Sequence, residues 1–90
     1  RGTLPVARES SEKALKIFEK TLGPDHIEVA RTLNNLANIC RAENQIKKAL
    51  PVLERALGIF EKRLGQDHLD LANPLVNIGG IYLKLKDHEK

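Results

Sequence analysis

Apolar residues recur along the chain at intervals of three and four, the spacing that places them on one face of a helix. The clearest stripe contains Val29, Leu33, Leu36, Ala37 and Cys40. Similar stripes come before and after it, separated by short polar segments. The pattern predicts an all-α chain of four helices, over about residues 5–22, 27–42, 46–64 and 69–86.

The segments between the stripes carry residues that favour helix ends. Gly23 and Gly65 are expected to end the first and third helices, because glycine adopts a left-handed backbone without strain. Asn44 is expected to adopt that conformation in the turn between the second and third helices. Asp25 and Asp67 are the expected N-caps of the second and fourth helices, each followed three residues later by an acidic residue.

The chain repeats itself at an offset of 42 residues. The segment 22–26 returns as 64–68, so that His68 lies 42 positions after His26. The same offset relates residues 14–20 to residues 56–62 and much of 27–39 to 69–81. Each unit contains two helical stripes, and such pairs stack because one pair cannot bury its own apolar face.

The repeat divides the chain into one complete unit and two halves. The complete repeat is expected at about 30–71, with half repeats at about 5–29 and 72–90. The chain opens at Arg1 without a methionine, so we expect a piece of a longer array. Its two ends should then expose apolar faces, which further repeats cover or which lead the chain to form homo-oligomers.

Three segments together resemble a known repeat. The segments 33–37 (LNNLA), 49–57 (ALPVLERAL) and 64–68 (LGQDH) closely resemble the 42-residue tetratricopeptide repeats of kinesin light chains, and similar repeats occur in nephrocystin-3-like scaffolds. The resemblance implies antiparallel helix–turn–helix units stacked as a right-handed alpha-solenoid. It also implies that the first helices of the units line a concave groove that holds an extended peptide.

Polar residues follow the predicted groove. Helical spacing places a polar row on the side of the second helix away from its apolar stripe, and a corresponding row on the fourth helix. Asparagine suits a peptide groove because its amide both donates and accepts hydrogen bonds. In the alternative interpretation, Asn35 and Asn77 bond neighbouring helices and only fix the geometry of the repeat. The candidate groove residues are Arg31, Asn34, Asn35, Asn38, Arg41, Asn73, Asn77 and Lys84.

The fourth helix departs from the pattern. Pro74 lies inside the predicted helix, where it removes a hydrogen-bond donor. Gly79 and Gly80 follow, and each costs up to about 1 kcal/mol relative to alanine in a helix interior. We expect a kinked or fraying helix here, while the alternative is that the glycines make room for a ligand backbone.

Composition narrows the functional classes. The net charge is +3, but the basic residues are interleaved with acids, so nucleic-acid binding is only a minor alternative. Cys40 is the only cysteine, which excludes an intrachain disulfide and favours a reducing, cytoplasmic compartment. The resemblance to kinesin light chains and nephrocystin-3-like scaffolds implies, in addition, association with the cytoskeleton or cilium as an option. No apolar run approaches the length of a membrane span, roughly 20 residues.

No residues form a recognisable catalytic, cofactor or metal pattern. His26 and His68 each follow an aspartate, but their separation places them in equivalent loops, so we interpret them as loop and capping residues. Cys40 lies on an apolar stripe and is interpreted as a small buried hydrophobic residue. The sequence therefore predicts a non-enzymatic adaptor without cofactors, which binds a peptide or protein partner in its groove. The alternative is a structural or self-associating spacer.

Overall fold

The computed structural model describes residues 3–65 and 67–89, with side chains for 6–65 and 67–86. Gln66 of the repeated loop and the side chain of His88 therefore lie outside the described part. Four α-helices account for most of that part: α1 Thr3–Leu22, α2 Ile27–Ala42, α3 Ile46–Leu64 and α4 Ala72–Glu89. A 3-10 turn at Leu69–Leu71 precedes α4. The predicted all-α helical-repeat fold is confirmed.

The helices form two layers. Each helix packs against the next one along the chain, α1 on α2, α2 on α3 and α3 on α4. Side chains also link alternate helices, since Glu19 of α1 pairs with Arg55 of α3, and Asn34 of α2 bonds Asn77 of α4. The pair α1 and α3 therefore forms one layer and the pair α2 and α4 the other. The molecule measures 42 × 34 × 17 Å, and its short dimension accommodates two helix layers.

Two clusters of buried side chains hold the layers together. Ala37, Ala49 and Ala56 have no exposed surface, as expected where two helices approach closely through small residues. One cluster joins the start of α2 to the end of α3, and the other joins the end of α2 to the start of α3 and to Ile81 of α4. The antiparallel α2–α3 pair is thus buried along most of its length.

The turns follow the predicted chemistry. Gly23 and Gly65 have φ angles of +97° and +91° and directly follow α1 and α3. The amide of Gly65 donates to the carbonyl of Glu61 at 3.0 Å, which closes the last turn of α3. Asn44 has a φ angle of 65° in the turn between α2 and α3. The three expected left-handed residues are therefore confirmed.

The N-cap of α2 is His26, so the prediction of Asp25 was wrong. Nδ1 of His26 accepts a hydrogen bond from the backbone N–H of Glu28 at 3.1 Å, which requires the tautomer with its proton on Nε2. Asp25 makes contacts with α3 instead. Its carboxylate pairs with Lys62 at 3.0 Å, and its backbone carbonyl accepts a hydrogen bond from Nε of Arg63 at 2.7 Å. The loop before α2 is thereby attached to the end of α3.

The same correction applies one repeat later. His68, and not Asp67, is the N-cap of the 3-10 turn before α4, and its Nδ1 accepts from the backbone N–H of Asp70 at 3.0 Å. Asp67 is exposed. The repeated Asp-His pair therefore uses its second residue as the cap, and the interpretation of both histidines as capping residues agrees with this geometry.

The fourth helix is continuous, which corrects the expected irregularity at Pro74 to Gly80. Pro74 lies in the first turn of α4, where its missing N–H has no partner within that helix. The 3-10 turn at Leu69–Leu71 directly precedes α4, so Pro74 is only the third residue of that helix. Pro74 is fully buried, so its ring adds to the packing.

Candidate functional site

A groove lies between α2 and the start of α4, and it contains a pocket of about 370 Å³. Its floor contains two buried apolar side chains, Phe60 from α3 and Pro74 from α4. Its polar lining brings together four of the predicted groove residues and an acidic one. These polar residues are Arg31, Asn34, Asn35, Asp70 and Asn73.

Three predicted groove residues are joined in a hydrogen-bonded chain between α2 and α4. Nη1 of Arg41 donates to Oδ1 of Asn77 at 3.0 Å, and Nδ2 of Asn77 donates to Oδ1 of Asn34 at 3.3 Å. The two bonds fix the orientation of the Asn77 amide, because the reverse orientation would set its NH₂ group against the guanidinium. Asn77 therefore bridges the two helices, as the alternative interpretation proposed for it.

Asn35 does not bridge helices, because its side chain is exposed and lines the pocket. The side-chain amide nitrogen of Asn34 makes no hydrogen bond to any other described residue, although its oxygen accepts from Asn77. Asn73 is also exposed beside the pocket. The pocket therefore offers amide groups with unused donors and acceptors.

Arg31 stands between two acids. Its Nη1 lies 3.4 Å from Oε2 of Glu28, and its Nη2 lies 3.8 Å from Oδ2 of Asp70. The Arg31 side chain remains about half exposed, so both pairs are solvated and contribute little to stability. This end of the groove therefore carries one positive and two negative charges, instead of the positive charge that Arg31 alone would give.

The remaining predicted residues lie outside the pocket. Asn38 and Lys84 are exposed, and neither makes a hydrogen bond or ion pair within the part of the chain that the structure describes. The groove wall on α4 is apolar near them, since Val76 is 71% and Leu83 67% exposed. The groove thus has a polar row on its α2 side and a mixture of polar and apolar side chains along α4.

The two α4 glycines differ in their surroundings. A β-carbon at Gly80 would lie 3.4 Å from Nη2 of Arg41, which is van der Waals contact. At Gly79 no atom lies within 4 Å of the position of the β-carbon. The guanidinium that donates to Asn77 therefore lies beside Gly80, and open space is left at Gly79.

Comparison with known families identifies the fold. The sequence model described as "Tetratricopeptide repeat" matches residues 1–62, which is more than half of the chain. The chain belongs to the tetratricopeptide repeat family. Members of this family generally mediate protein–protein interactions. No curated protein matches the chain significantly.

Sequence reasoning missed three residues of the pocket in this tetratricopeptide repeat: Phe60, Asp70 and Pro74. A signal existed for the last two, because Asp70 lies three residues before the candidate Asn73, about one helical turn, and Pro74 directly follows Asn73. Pro74 was interpreted as a defect of the helix. The contribution of Phe60 depends on how α3 crosses beneath the two groove helices, which one helix's periodicity does not specify.

Two titratable groups of the repeat have shifted pKa values. The hydrogen bond and charge of Lys62 lower the pKa of Asp25, with smaller contributions from Arg63 and Arg55. Burial raises the pKa of the Cys40 thiol, and the nearby Glu43 adds to that effect. A protonated, buried thiol is a poor nucleophile, so Cys40 behaves as a packing residue.

Within the described ranges, no group of three or more His, Cys, Asp or Glu side chains is arranged to hold a metal ion. None of the helices in those ranges is long and apolar enough to cross a membrane.

Proposed function

We propose that this tetratricopeptide repeat binds an extended peptide segment of a partner protein in the groove between α2 and α4. The observation that carries the proposal is the row of available amides around the pocket, at Asn34, Asn35 and Asn73. Each amide can pair with a peptide N–H or C=O whatever the side chain, which holds the backbone of an extended ligand. The guanidinium of Arg31 already lies beside the two acids Glu28 and Asp70, so the amides carry recognition at this end.

The other end of the groove favours particular side chains. Val76 and Leu83 offer exposed apolar surface along α4, and Lys84 adds a positive charge beside them. A peptide that places apolar side chains against α4 and an acidic side chain near Lys84 fits this arrangement. We therefore propose a ligand that mixes apolar and acidic residues.

The finer classification is also a proposal. The 42-residue offset and the repeated segment at 22–26 and 64–68 support the kinesin-light-chain-like type, with a complete repeat at about 30–71 between halves at 5–29 and 72–90. An adaptor role inside the cell, in the cytoplasm and in association with the cytoskeleton or cilium, follows from that type. The lone, buried Cys40 agrees with a reducing compartment.

The test is a selection from a random peptide library. Peptides are selected on the wild-type chain, and their affinities are then measured for the double variant Asn35→Ala/Asn73→Ala. Both asparagines are exposed and outside the Arg41–Asn77–Asn34 chain, so the variant should fold normally. The matched control is Lys13→Ala/Lys16→Ala, which removes two exposed polar side chains from α1. We expect loss of roughly tenfold or more in affinity for the groove variant, about one or two hydrogen bonds, and none for the control. Equal affinities for all three proteins would refute the groove.

A self-associating role is the second candidate, and one observation favours it: α4 exposes apolar side chains on a face outside the groove.

A further inference from the structure

Each acid beside Arg31 lies two positions after a histidine that caps it. Nδ1 of His26 accepts a hydrogen bond from the backbone N–H of Glu28 at 3.1 Å, and Nδ1 of His68 accepts one from the backbone N–H of Asp70 at 3.0 Å. The carboxylates of the same two acids lie 3.4 and 3.8 Å from the guanidinium of Arg31. Two histidines related by the repeat are therefore connected to the charged end of the groove.

The two histidines differ in one contact. Nδ1 of His68 lies 4.0 Å from Oδ2 of Asp70, the oxygen that also lies 3.8 Å from Nη2 of Arg31. Among the described residues, the ring of His26 makes no such contact with a carboxylate. The side chain of His68 is 43% exposed, so protons from solvent reach its ring. One carboxylate oxygen of the pocket thus lies between a guanidinium and an imidazole that can become charged.

Protonation of His68 changes the groups that hold Asp70. Histidine changes its charge between pH 5 and 8 in ordinary surroundings. The neutral ring accepts at Nδ1, but the protonated ring donates from both nitrogens, so the cap on the backbone N–H of Asp70 is lost. An acceptor for the new N–H lies 4.0 Å away, at Oδ2 of Asp70. The charged ring and the guanidinium of Arg31 then compete for one carboxylate.

We propose that protonation of His68 frees Arg31 to bind an acidic side chain of the peptide, so that the groove binds acidic peptides more tightly as the pH falls from about 8 to about 5.5. This regulation rests on the proposed peptide-binding function. While His68 is neutral, the pocket end carries one positive and two negative charges, which disfavours a further acid. Once His68 is charged, the two signs are equal in number and Asp70 is shared. Peptide binding in turn favours the protonated ring, because the coupling is reciprocal.

Other charged groups near His68 belong to its own loop, to α2 and to the end of α3, directly before the loop. They are Asp67, Glu28, Arg31, Lys62 and Arg63. Carboxylates titrate below the histidine range and basic side chains above it in ordinary surroundings. Lys62 also lowers the pKa of Asp25, so the ion pair that attaches the loop before α2 to α3 persists at about pH 5.5. Between pH 5 and 8, the charge change that the groove meets is therefore that of histidine.

Peptide affinities at two pH values test the proposal. Peptides are selected from a random library on the wild-type chain at about pH 5.5, and the tightest binder is the probe. We expect this probe to carry an acidic residue and to bind roughly threefold to fivefold more weakly at about pH 8, the contribution of one solvated ion pair. The same peptide with its acidic residues replaced by glutamine should bind equally at both pH values. Circular dichroism checks the fold at each.

His68→Asn is the decisive variant, because asparagine retains an acceptor for the cap but does not titrate. At pH 5.5 it should bind the probe as weakly as the wild type does at pH 8. The matched control is His26→Asn, which makes the same change in the equivalent cap and should keep the wild-type pH dependence. Asp70→Asn should bind the probe tightly at both pH values, because Arg31 then has one acid fewer beside it.

The ligand-free chain provides a second measurement that needs no peptide. In ¹⁵N-labelled protein, the Nε–H signal of Arg31 should shift between pH 8 and 5.5 in the wild type and stay in place in His68→Asn. A shift of equal size in both proteins would overturn the proposal, and so would a probe whose affinity follows pH equally in both. If the signal depends on His68 but no library peptide binds, the coupling of His68 to Arg31 stands and the groove is refuted as a peptide site.

Discussion

Nη1 of Arg41 donates a hydrogen bond to Oδ1 of Asn77 at 3.0 Å, across the gap between α2 and α4. Asn77 in turn donates to Asn34 at 3.3 Å. One amide of α4 therefore bonds two residues of α2 that lie about two helical turns apart. The direct side-chain contacts described between α2 and α4 are therefore hydrogen bonds, whereas each of the two helices packs on α3 through apolar side chains.

The bridge gives a prediction for stability. Asn77→Ala removes both bonds, and we expect about 1 kcal/mol lower free energy of unfolding, because each partly exposed hydrogen bond contributes modestly. Urea unfolding measures the change. Asn38→Ala is the control, since Asn38 is exposed and makes no hydrogen bond to another described residue, and it should change stability by less than about 0.5 kcal/mol. If the two variants are equally stable, the bridge contributes nothing.

The two glycines of α4 should both tolerate alanine. Gly79→Ala should stabilise the chain by up to about 1 kcal/mol, because the site is open and alanine is the better helix former. Gly80→Ala should stabilise it similarly, since its methyl group would lie 3.4 Å from Nη2 of Arg41, an ordinary van der Waals distance. Thermal unfolding compares them. Gly65→Ala is the contrasting control and should destabilise, because its φ angle of +91° strains a side chain. A loss of stability in Gly80→Ala would mean that a β-carbon displaces the Arg41 side chain.

The histidine cap can be tested by replacement. His26→Ala removes the acceptor of the Glu28 amide and should cost about 1 kcal/mol of stability. His26→Asn should restore most of the loss, because asparagine is a favoured N-cap. Chemical denaturation measures both variants. A loss that asparagine fails to restore would mean that the imidazole acts through packing and not as a cap.

The helix ends at Leu22, Ala42 and Leu64 could be predicted from the sequence, because they depend on local signals such as Gly23, Asn44 and Gly65. The prediction of the N-cap of α2 was wrong because aspartate is a favoured cap residue, so nothing in the local sequence argues against Asp25. Its side chain instead pairs with Lys62, which lies 37 residues away along the chain. Sequence reasoning placed Asn34 and Asn77 on the groove side but named Asn35 and Asn77, and not Asn34, as the residues that could bond neighbouring helices. Which residue forms that bond depends on how closely α2 and α4 approach, which α3 determines from beneath.

The pair of Asp25 and Lys62 predicts a dependence on pH. Lys62 lowers the pKa of Asp25 in the folded state, so the contribution of Asp25 to stability is present above the ordinary carboxyl range. It is lost as the pH falls through the lowered pKa, below about 4. Urea unfolding of wild type and Asp25→Asn should therefore differ at neutral pH and converge in acid, and high salt should reduce the difference.

Asp67→Asn is the control for this experiment. Asp67 occupies the equivalent position one repeat later, and it makes no salt bridge to any other residue that the structure describes. The free energy of unfolding of Asp67→Asn should therefore stay close to that of the wild type at every pH. A pH dependence as large as that of Asp25→Asn would assign the effect to the general charge of the loops.

The central claim, that a partner peptide lies along the amides between α2 and α4, is tested most directly by nuclear magnetic resonance. A peptide selected on the wild-type chain is added to ¹⁵N-labelled protein, and the side-chain NH₂ signals of the asparagines are followed. We expect the signals of Asn34, Asn35 and Asn73 to shift together with saturation, while that of Asn44, in the turn beyond α2, stays in place. Shifts confined to the backbone around Leu75 and Tyr82, with the three groove amides unchanged, would contradict the account.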